Sequence, residues 1–397
     1  MEKQNTRAPI WTKNFISITL TQFIVFVAFY TLLTTLPLYV IKNLGRSEAD
    51  GGLIVTVMLI SAIIIRPLSA LFLEKAGKKR GLLISVLAFT ATTFLYIWIE
   101  SFIPLLAVRF LHGLSFGIVT TATGAIAADV VPDNRRGEGL GYFAMANNLA
   151  VVVGPFIGLL LIQYVSFQTL FLLLSLIVLS GAVFSFIIDI PDNRRAASQV
   201  TKRKLSIHDL FEIKALPIAL ISTLVAISYS SILSYLSVYA DAIGLAKASS
   251  YFFLVFAFLM LLSRPYLGRS FDLKGPNFVI LPGLFIFAIG LVLLGFTTSA
   301  WMLLLAAGFI GLGYGSLLPS FQTMAIQSAH PARSGHSTAT FFTFYDIGVA
   351  LGSVIWGAIA GIYSFTILYI LSAGVAIVVV IVFTLYQRRH KKVTADQ

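Results

Sequence analysis

Long runs of apolar residues, separated by short polar segments, extend along nearly the whole chain. The runs are apolar on every side, and each approaches the roughly 20 residues that an α-helix needs to cross a bilayer. We therefore expect an all-α membrane protein whose helices are joined by short loops. The twelve predicted transmembrane helices lie at 15–41, 51–73, 82–99, 103–129, 142–164, 168–188, 215–241, 249–271, 278–297, 301–327, 338–362 and 365–386.

The composition agrees with this pattern. Of the 397 residues, 58% are hydrophobic and only 11% are charged, whereas a soluble domain carries about a quarter charged residues. The absence of cysteine excludes disulfides and thiolate catalysis. There is no P-loop and no H-E-x-x-H or G-x-S-x-G motif, so we expect no enzyme activity, no metal and no cofactor. Uphill transport would then have to use an ion gradient.

The net charge of +12 does not indicate a nucleic-acid partner, because the basic residues follow the loops. The two tails and alternate loops hold 22 of the 28 Lys and Arg residues, and the remaining loops hold three. This bias predicts a multi-pass protein of the cell (inner, cytoplasmic) membrane with both termini in the cytoplasm. Residues 191–214 form the longest internal polar segment, and we interpret them as a cytoplasmic linker between two halves, 1–190 and 215–397.

The two halves share a pattern at an offset of 198 residues. Several matches at one offset, at equivalent helix positions, indicate a parallel internal repeat and hence two pseudo-symmetric six-helix bundles. Such repeats place a binding site between the halves, near the middle of the membrane. The matched pairs include Arg66 and Arg264, Glu74 and Asp272, Gly77 and Gly275, Gly113 and Gly311, and Gly154 and Gly352.

The loop between the second and third helices resembles the signature G-x-L-a-D-r-x-G-r-k of the major facilitator superfamily. Glu74, Gly77 and Lys78 match it, and Ala70 stands for the leading glycine. The resemblance implies a conformational latch in which Glu74 and Lys78 interact with Asp129 at the end of helix 4. The alternative is that these charges serve only membrane orientation. The corresponding latch residues of the second half are Arg264, Asp272 and Gly275.

Helix 4 contains Arg109 and Gly113 in an R-x-x-x-G arrangement, which resembles the superfamily motif associated with proton coupling. An arginine within a span is costly and so indicates function. The alternative is an arginine whose side chain reaches the outer headgroups. His112 is a candidate proton relay or, equally, a hydrogen-bonded structural residue.

Helix 5 resembles the antiporter motif g-x-x-x-G-P-x-x-G-G of the superfamily. Gly154, Pro155 and Gly158 match it, whereas Ala150 and Leu159 replace its first and last glycines. The second half lacks the proline, and the resemblance implies that this asymmetry marks an exporter. The alternative is ordinary close packing of helices through small residues.

Asp346 is the only acidic residue that the pattern places deep within a span. Burial disfavours a charged carboxylate, so this group is suited to bind and release a proton. The alternative is a structural hydrogen bond to a neighbouring helix. Many drug:proton antiporters of the superfamily carry an acid in helix 1, where this chain has Gln22 and Tyr30.

Aromatic and polar residues inside the spans are candidates for a substrate pocket, although each one alone could equally serve packing. An apolar, aromatic pocket with few polar groups suits amphipathic ligands. The candidates are Gln22, Tyr30, Asn147, Asn148, Tyr229, Tyr235, Tyr314, Gln322, Phe341, Phe344 and Tyr345. Five others near span ends are interpreted as interfacial belt residues: Tyr39, Tyr96, Trp98, Trp301 and Tyr386.

These patterns together favour a secondary active transporter that exports small, drug-like amphipathic molecules by proton antiport and alternating access, similar to the twelve-span drug:proton antiporters. Its expected partners are a small-molecule substrate, protons and membrane lipid, and we expect a monomer. One alternative is an exporter of a defined metabolite, such as a sugar, siderophore or lipid. A non-transporting membrane sensor is the other, and it would need neither Asp346 nor a latch.

Overall fold

All twelve predicted spans are α-helices in the computed structural model. The structure describes residues 9–132, 135–190, 211–329 and 334–395, without the side chains of 70, 74, 136–138, 265, 334–335 and 389–395. The helices, numbered in chain order, are α1 Lys13–Lys42, α2 Glu48–Ala76, α3 Lys78–Leu95, α4 Phe102–Val130, α5 Arg136–Leu161, α6 Phe167–Ile187, α7 Leu216–Ala242, α8 Ala246–Lys274, α9 Pro276–Gly295, α10 Ala300–Gln327, α11 Ser334–Ile362 and α12 Phe365–Ala395.

Each of these twelve helices is long and apolar enough to cross a membrane, by length and composition, among the residues that the structure describes. The predicted all-α architecture with twelve spans is therefore confirmed. The ends differ from the prediction by a few residues in most cases. α12 differs most, because it continues to Ala395 instead of ending at 386. Its basic end contains Arg and Lys, which have a high helix propensity and can extend the helix into water.

The described residues group into two compact units that do not follow the predicted halves along their whole length. The C-terminal part of α1, the first part of α2 and the last part of α5 group with the second half of the chain. The division at 190 and 215 stays a prediction, and 191–210 lie outside the described residues. Unit 1 contains 9–32, 60–132, 135–155 and 164–190, and unit 2 contains 33–59, 156–163, 211–329 and 334–395.

Within unit 1, α3 packs against α4 and α6. The rings of Phe29 and Phe116 stack with their centroids 4.5 Å apart, which joins α1 to α4. The Thr21 hydroxyl lies 3.3 Å from the carbonyl oxygen of Gly181 on α6. Helices in lipid gain no hydrophobic driving force from each other, so close packing and such hydrogen bonds hold them together.

Within unit 2, α7 packs against α11 and α12, and α10 packs against α8 and α9. Glycines let α10 contact both of its neighbours closely. A Cβ atom added to Gly311 would lie 2.3 Å from the carbonyl oxygen of Phe256 on α8, and one added to Gly313 would lie 2.5 Å from the backbone nitrogen of Phe287 on α9. Gly311, which belongs to the internal repeat, and Gly313 therefore have a packing role.

The sharp turns after α2 and α8 show the internal repeat in three dimensions. Gly77 has φ 85° and Gly275 has φ 82°, a region that residues with a side chain rarely adopt. The N–H groups of these two glycines donate to Leu73 and Phe271, respectively, at 3.0 Å in both cases. The glycines matched by the internal repeat therefore occupy the same backbone conformation 198 positions apart.

Candidate functional site

Lys78 and Asp129, two of the three predicted latch residues of the first half, form an ion pair. The Lys78 Nζ atom lies 2.5 Å from Asp129 Oδ2, and the side chains are 44% and 41% exposed. The Gly77 turn starts α3 and thereby places Lys78 at the end of α4. The side chain of Glu74 lies outside the described part of the structure. An ion pair this exposed contributes about 0.2–1 kcal/mol, which suits a contact that forms and breaks.

In the second half, the predicted latch residues are not brought into an ion pair with each other within the described residues. Asp272 is exposed near the end of α8, and Arg264 lies two turns earlier, half-buried. The repeat therefore reproduces the turn at Gly275 but not the ion pair found in the first half.

Arg109 is completely buried inside unit 1, with 0% of its side chain exposed. This excludes the alternative in which its side chain reaches the headgroups. His112, one turn later on α4, is also 0% exposed. Its Nδ1 atom lies 2.9 Å from the Tyr96 hydroxyl, and its Nε2 atom lies 3.4 Å from the Thr93 hydroxyl. Tyr96 is also within hydrogen-bonding reach of Arg109, so these residues form one buried polar cluster between α3 and α4.

The interpretation of Tyr39 and Tyr96 as interfacial belt residues is wrong. Tyr39 is 2% exposed and Tyr96 is 1% exposed, so both face the protein interior. Tyr96 lies in a 3₁₀ turn that follows α3, and this turn directs its hydroxyl towards His112. Trp98 and Trp301, in contrast, are 69% and 76% exposed, as belt residues should be.

The predicted antiporter motif lies where α5 contacts α1. A Cβ atom added to Gly154 would lie 2.8 Å from both the Val27 carbonyl oxygen and the Tyr30 Cβ atom. The Thr31 hydroxyl donates to the Gly154 carbonyl oxygen at 2.8 Å. Pro155, which follows at once, lies inside the helix, where it leaves the α5 backbone with one fewer N–H donor. Gly158 is buried one turn further on.

Two predicted pocket residues of unit 1, Gln22 and Asn147, contact each other. Gln22 Nε2 donates to Asn147 Oδ1 at 3.0 Å, and the Thr123 hydroxyl donates to Gln22 Oε1. Three helices, α1, α4 and α5, are joined by this chain of side chains. Tyr30 and Asn148 are half-buried on α1 and α5.

The predicted aromatic pocket residues of unit 2 are largely packed against each other. The rings of Tyr229 and Tyr314 stack with their centroids 3.7 Å apart, and the Tyr314 and Tyr345 hydroxyls are hydrogen-bonded. These three tyrosines are 2%, 3% and 9% exposed, respectively. Phe341 is fully buried, whereas Asp346 is half-buried. Gln322 and Phe344 are also half-buried.

Tyr235, another predicted pocket residue, joins three helices of unit 2 at their predicted outer ends. Its hydroxyl lies 2.7 Å from the Ser353 carbonyl oxygen on α11 and 3.1 Å from the Glu48 carbonyl oxygen on α2. The hydroxyl fits between two glycines. Cβ atoms added to Gly52 and Gly357 would lie 2.4 Å and 2.3 Å from it.

Two further contacts join helices of unit 2. The Thr56 hydroxyl donates to the Ala350 carbonyl oxygen at 2.6 Å, which joins α2 to α11. Lys42 Nζ lies 2.6 Å from Asp241 Oδ1, which joins the last turns of α1 and α7. Neither contact was predicted from the sequence, because nothing about these residues within their own helices indicates a partner on another helix.

No group of three or more His, Asp or Glu residues that could hold a metal ion occurs within the described ranges. The site residues missed by sequence reasoning, Thr93 and Thr123, are threonines in apolar helices. A signal for them existed only in their partners, because a histidine or glutamine within a span needs a hydrogen-bonding neighbour.

Comparisons with known proteins agree with this architecture. Two solved structures share the fold: the nucleoside transporter NupG, with a TM-score of 0.74, 14% identity and coverage of 94% of this chain and 99% of that one, and a peptide transporter POT in complex with sulfate, with a TM-score of 0.74, 16% identity and coverage of 95% and 94%.

Two relatives are similar in sequence over most of their length. An uncharacterized MFS-type transporter of Methanocaldococcus jannaschii is 26% identical over 90% of this chain and 96% of its own. The multidrug resistance protein MdtG of Salmonella arizonae is 26% identical over 92% of this chain and 93% of its own. The sequence profile of the Major Facilitator Superfamily matches residues 18–346 and 253–397. The chain therefore belongs to the Major Facilitator Superfamily.

Proposed function

We propose that the protein exports small amphipathic, drug-like compounds in exchange for protons, by alternating access. The observation that carries the proposal is the contact of Gly154 with α1, in the motif whose resemblance implies export. An added Cβ atom there would lie 2.8 Å from the Val27 carbonyl oxygen, so α1 and α5 approach each other closely only because this residue is glycine. The similarity to proteins named for multidrug resistance supports the same direction of transport.

Asp346 is the proposed proton carrier. It is twelve residues into α11, about 18 Å along the helix axis, which is far from either end of the span. A carboxyl group at this depth is costly in lipid and therefore indicates a functional site. Arg109, buried in unit 1, supplies a fixed positive charge for the same coupling. His112 is the next candidate, although both of its ring nitrogens have hydrogen-bonding neighbours.

The ion gradient is the proposed energy source, because the sequence contains no P-loop. We further propose a monomer in the cell membrane with both termini in the cytoplasm, as the distribution of Lys and Arg implies. The Lys78–Asp129 ion pair is the proposed latch, with Glu74 as its third member.

Export of a defined metabolite is the second candidate. Nucleoside and peptide transporters share the fold, and a fold alone does not choose the substrate. The half-buried polar groups of Asn147 and Asn148 would serve either kind of ligand. A sensor without transport is disfavoured, because it requires no acid within a span.

The proposal is tested by transport in proteoliposomes under an imposed pH gradient, with a panel of amphipathic compounds. Wild-type protein should move at least one compound uphill when the gradient is present. Asp346→Asn should abolish uphill movement but retain downhill exchange. Glu100→Gln changes an exposed acid outside the helices and should behave as wild type. Uphill transport that persists in Asp346→Asn would remove this residue from coupling, and transport that ignores the gradient would refute proton antiport.

The α5 contact has its own test in cells. Gly154→Leu should reduce efflux, because the side chain cannot fit against α1. Gly141→Leu, in the same helix, is the matched control because an added Cβ atom there meets nothing within 4 Å. Accumulation of substrate inside cells that overproduce the wild-type protein would contradict export.

A further inference from the structure

The polar chain that joins Gln22, Thr123 and Asn147 fixes the orientation of each side chain in it. Gln22 is 3% exposed and Thr123 is 0% exposed. Gln22 uses its amide nitrogen to contact Asn147 and its amide oxygen to accept from Thr123. Both ends of the Gln22 amide are therefore engaged inside the protein. The Gln22 amide therefore has no free end for a substrate, and Asn147 is the next group in the polar chain.

All three side chains lie at a similar depth within their spans. Gln22 is nine residues from the start of α1, Asn147 is eleven from the start of α5, and Thr123 is seven from the end of α4. At about 1.5 Å per residue, these positions are roughly 10–16 Å from the predicted cytoplasmic helix ends. A polar group at this depth is costly unless it has a partner or lines a hydrated cavity.

Asn147 lies on the side of α5 that faces α1. Met145 and Leu149, two residues before and after it, lie about 160° away around the helix and are 59% and 48% exposed. Gly154, two turns later on the same side as Asn147, contacts α1. The half-buried Asn147 therefore points away from the exposed apolar side of α5.

One edge of the Asn147 amide remains available. Its oxygen accepts from Gln22, and no side chain or backbone group among the described residues accepts a hydrogen bond from its nitrogen. An amide nitrogen carries two N–H donors. These N–H groups can donate to an oxygen acceptor on a ligand.

An aromatic surface adjoins this donor on α1. Phe26 and Tyr30 follow Gln22 at intervals of four residues and so lie on the same side of the helix. Both are half-buried, and their ring centroids are 6.1 Å apart. The Phe26 ring also contacts Phe116, with centroids 5.3 Å apart. Partly exposed rings of this kind stack against the flat apolar part of an aromatic ligand.

We propose that Asn147, held in position by Gln22 and Thr123, donates the hydrogen bond that selects the substrate, and that the substrate is an aromatic amphipathic compound with a carbonyl or ether oxygen. Gln22 and Thr123 are positioning residues. A site built to donate a hydrogen bond rejects a ligand that lacks the acceptor, because its donor is then left unpaired. The inference rests on the proposed function and defines its substrate class.

The test compares efflux of two neutral aromatic dyes from cells that produce the full chain. Nile red carries a carbonyl oxygen, and N-phenylnaphthylamine carries no oxygen. Asn147→Leu should reduce Nile red efflux about 3- to 10-fold, the effect of one neutral hydrogen bond, and leave N-phenylnaphthylamine efflux unchanged. Thr123→Val should raise the KM for Nile red by a similar factor at unchanged maximal rate, and Thr123→Ser should restore it.

Thr120→Val is the matched control. Thr120 lies one turn before Thr123 on α4, and within the described ranges its hydroxyl donates only to carbonyl groups of that helix, those of Phe116 at 2.9 Å and Gly117 at 3.3 Å. It should leave the efflux of both dyes unchanged. Equal loss of both dyes in Asn147→Leu and Thr123→Val would overturn the inference, since it would indicate a structural role. Unchanged Nile red efflux in both variants would also overturn it. If wild-type protein moves neither dye, the proposed export of amphipathic compounds fails, and the inference fails with it.

Discussion

Gly52 on α2 provides the sharpest test of the packing at the predicted outer ends. An added Cβ atom would lie 2.1 Å from the Ser353 carbonyl oxygen and 2.4 Å from the Tyr235 hydroxyl. Carbon and oxygen atoms in contact are separated by about 3.3 Å. Ser353 presents backbone here, and backbone cannot turn aside as a flexible side chain can. Gly52→Ala should therefore push α2 and α11 apart by about 1 Å.

The cost follows from the hydrogen bonds in the same place. The Tyr235 hydroxyl lies between Glu48 and Ser353, and the Thr56 hydroxyl donates to Ala350 at 2.6 Å. A buried hydroxyl left unpaired costs about 1–3 kcal/mol, so the loss of both hydrogen-bonded hydroxyls amounts to about 2–6 kcal/mol. At 1.4 kcal/mol per factor of ten, the contact would become at least about 30-fold less populated.

Gly51→Ala is the matched control for this substitution. An added Cβ atom at Gly51 would meet its nearest neighbour, the Ile41 side chain, at 3.4 Å, an ordinary contact. Both substitutions gain the same helix propensity, about 1 kcal/mol. The difference between them therefore isolates the steric conflict at Gly52.

Cross-linking at the Lys42–Asp241 pair, which joins the last turns of α1 and α7, measures how often the helices at the predicted outer ends are in contact. The chain has no cysteine, so Lys42→Cys and Asp241→Cys introduce the only thiols, at a place where the native side chains are 2.6 Å apart. A short bifunctional thiol reagent should link them efficiently in the wild-type and Gly51→Ala backgrounds but poorly in Gly52→Ala. Size-exclusion chromatography checks that each variant is folded. Equal cross-linking in a folded Gly52→Ala protein would refute the reasoning.

Two further substitutions test the buried cluster and the turn. Tyr96→Phe removes the hydroxyl that lies 2.9 Å from His112 Nδ1 and should lower stability in detergent by about 1–3 kcal/mol. Tyr363→Phe, at a 67% exposed position, is the control and should have little effect. Equal stability of the two variants would contradict a hydrogen-bonded His112. Gly77→Ala should cost at least about 1–2 kcal/mol, because φ is 85° there, and Gly124→Ala, which meets nothing within 4 Å, should not; thermal unfolding followed by fluorescence distinguishes them.

The fold could be predicted because its determinants are local. A span is recognised from a run of about 20 apolar residues, whatever its neighbours are. The turn glycines were found because only glycine tolerates the backbone of a sharp turn, so Gly77 and Gly275 recur at the same place in the repeat. The ends of helices were less certain, since a helix such as α12 continues into polar sequence beyond the span.

The site could be predicted only in part, because the missing information is three-dimensional. Tyr96 lies near the end of a span, where a belt residue and an interior residue look alike in sequence; only the structure shows that its hydroxyl meets His112. Thr123 is one of several threonines on α4, most of which bond only within the helix. Its contact with Gln22 depends on how α1 lies against α4.

The contacts at the predicted outer ends are individually weak, and this bears on the proposed alternating access. The Lys42–Asp241 pair is partly exposed, at 47% and 25%, so it contributes at most about 1 kcal/mol. The hydrogen bonds of Tyr235 and Thr56 contribute about 0.5–1.5 kcal/mol each. Their sum is a few kcal/mol, which ligand binding can offset, because a substrate shifts a two-state equilibrium by its difference in affinity for the two states. The close glycine contacts of α10 with α8 and α9 are of another kind: they bring backbone against backbone along the helices and have no exposed charged partner that solvent could replace. The proposed alternating access requires such a difference, with close backbone packing along some helices and weaker contacts that a single bound substrate can offset.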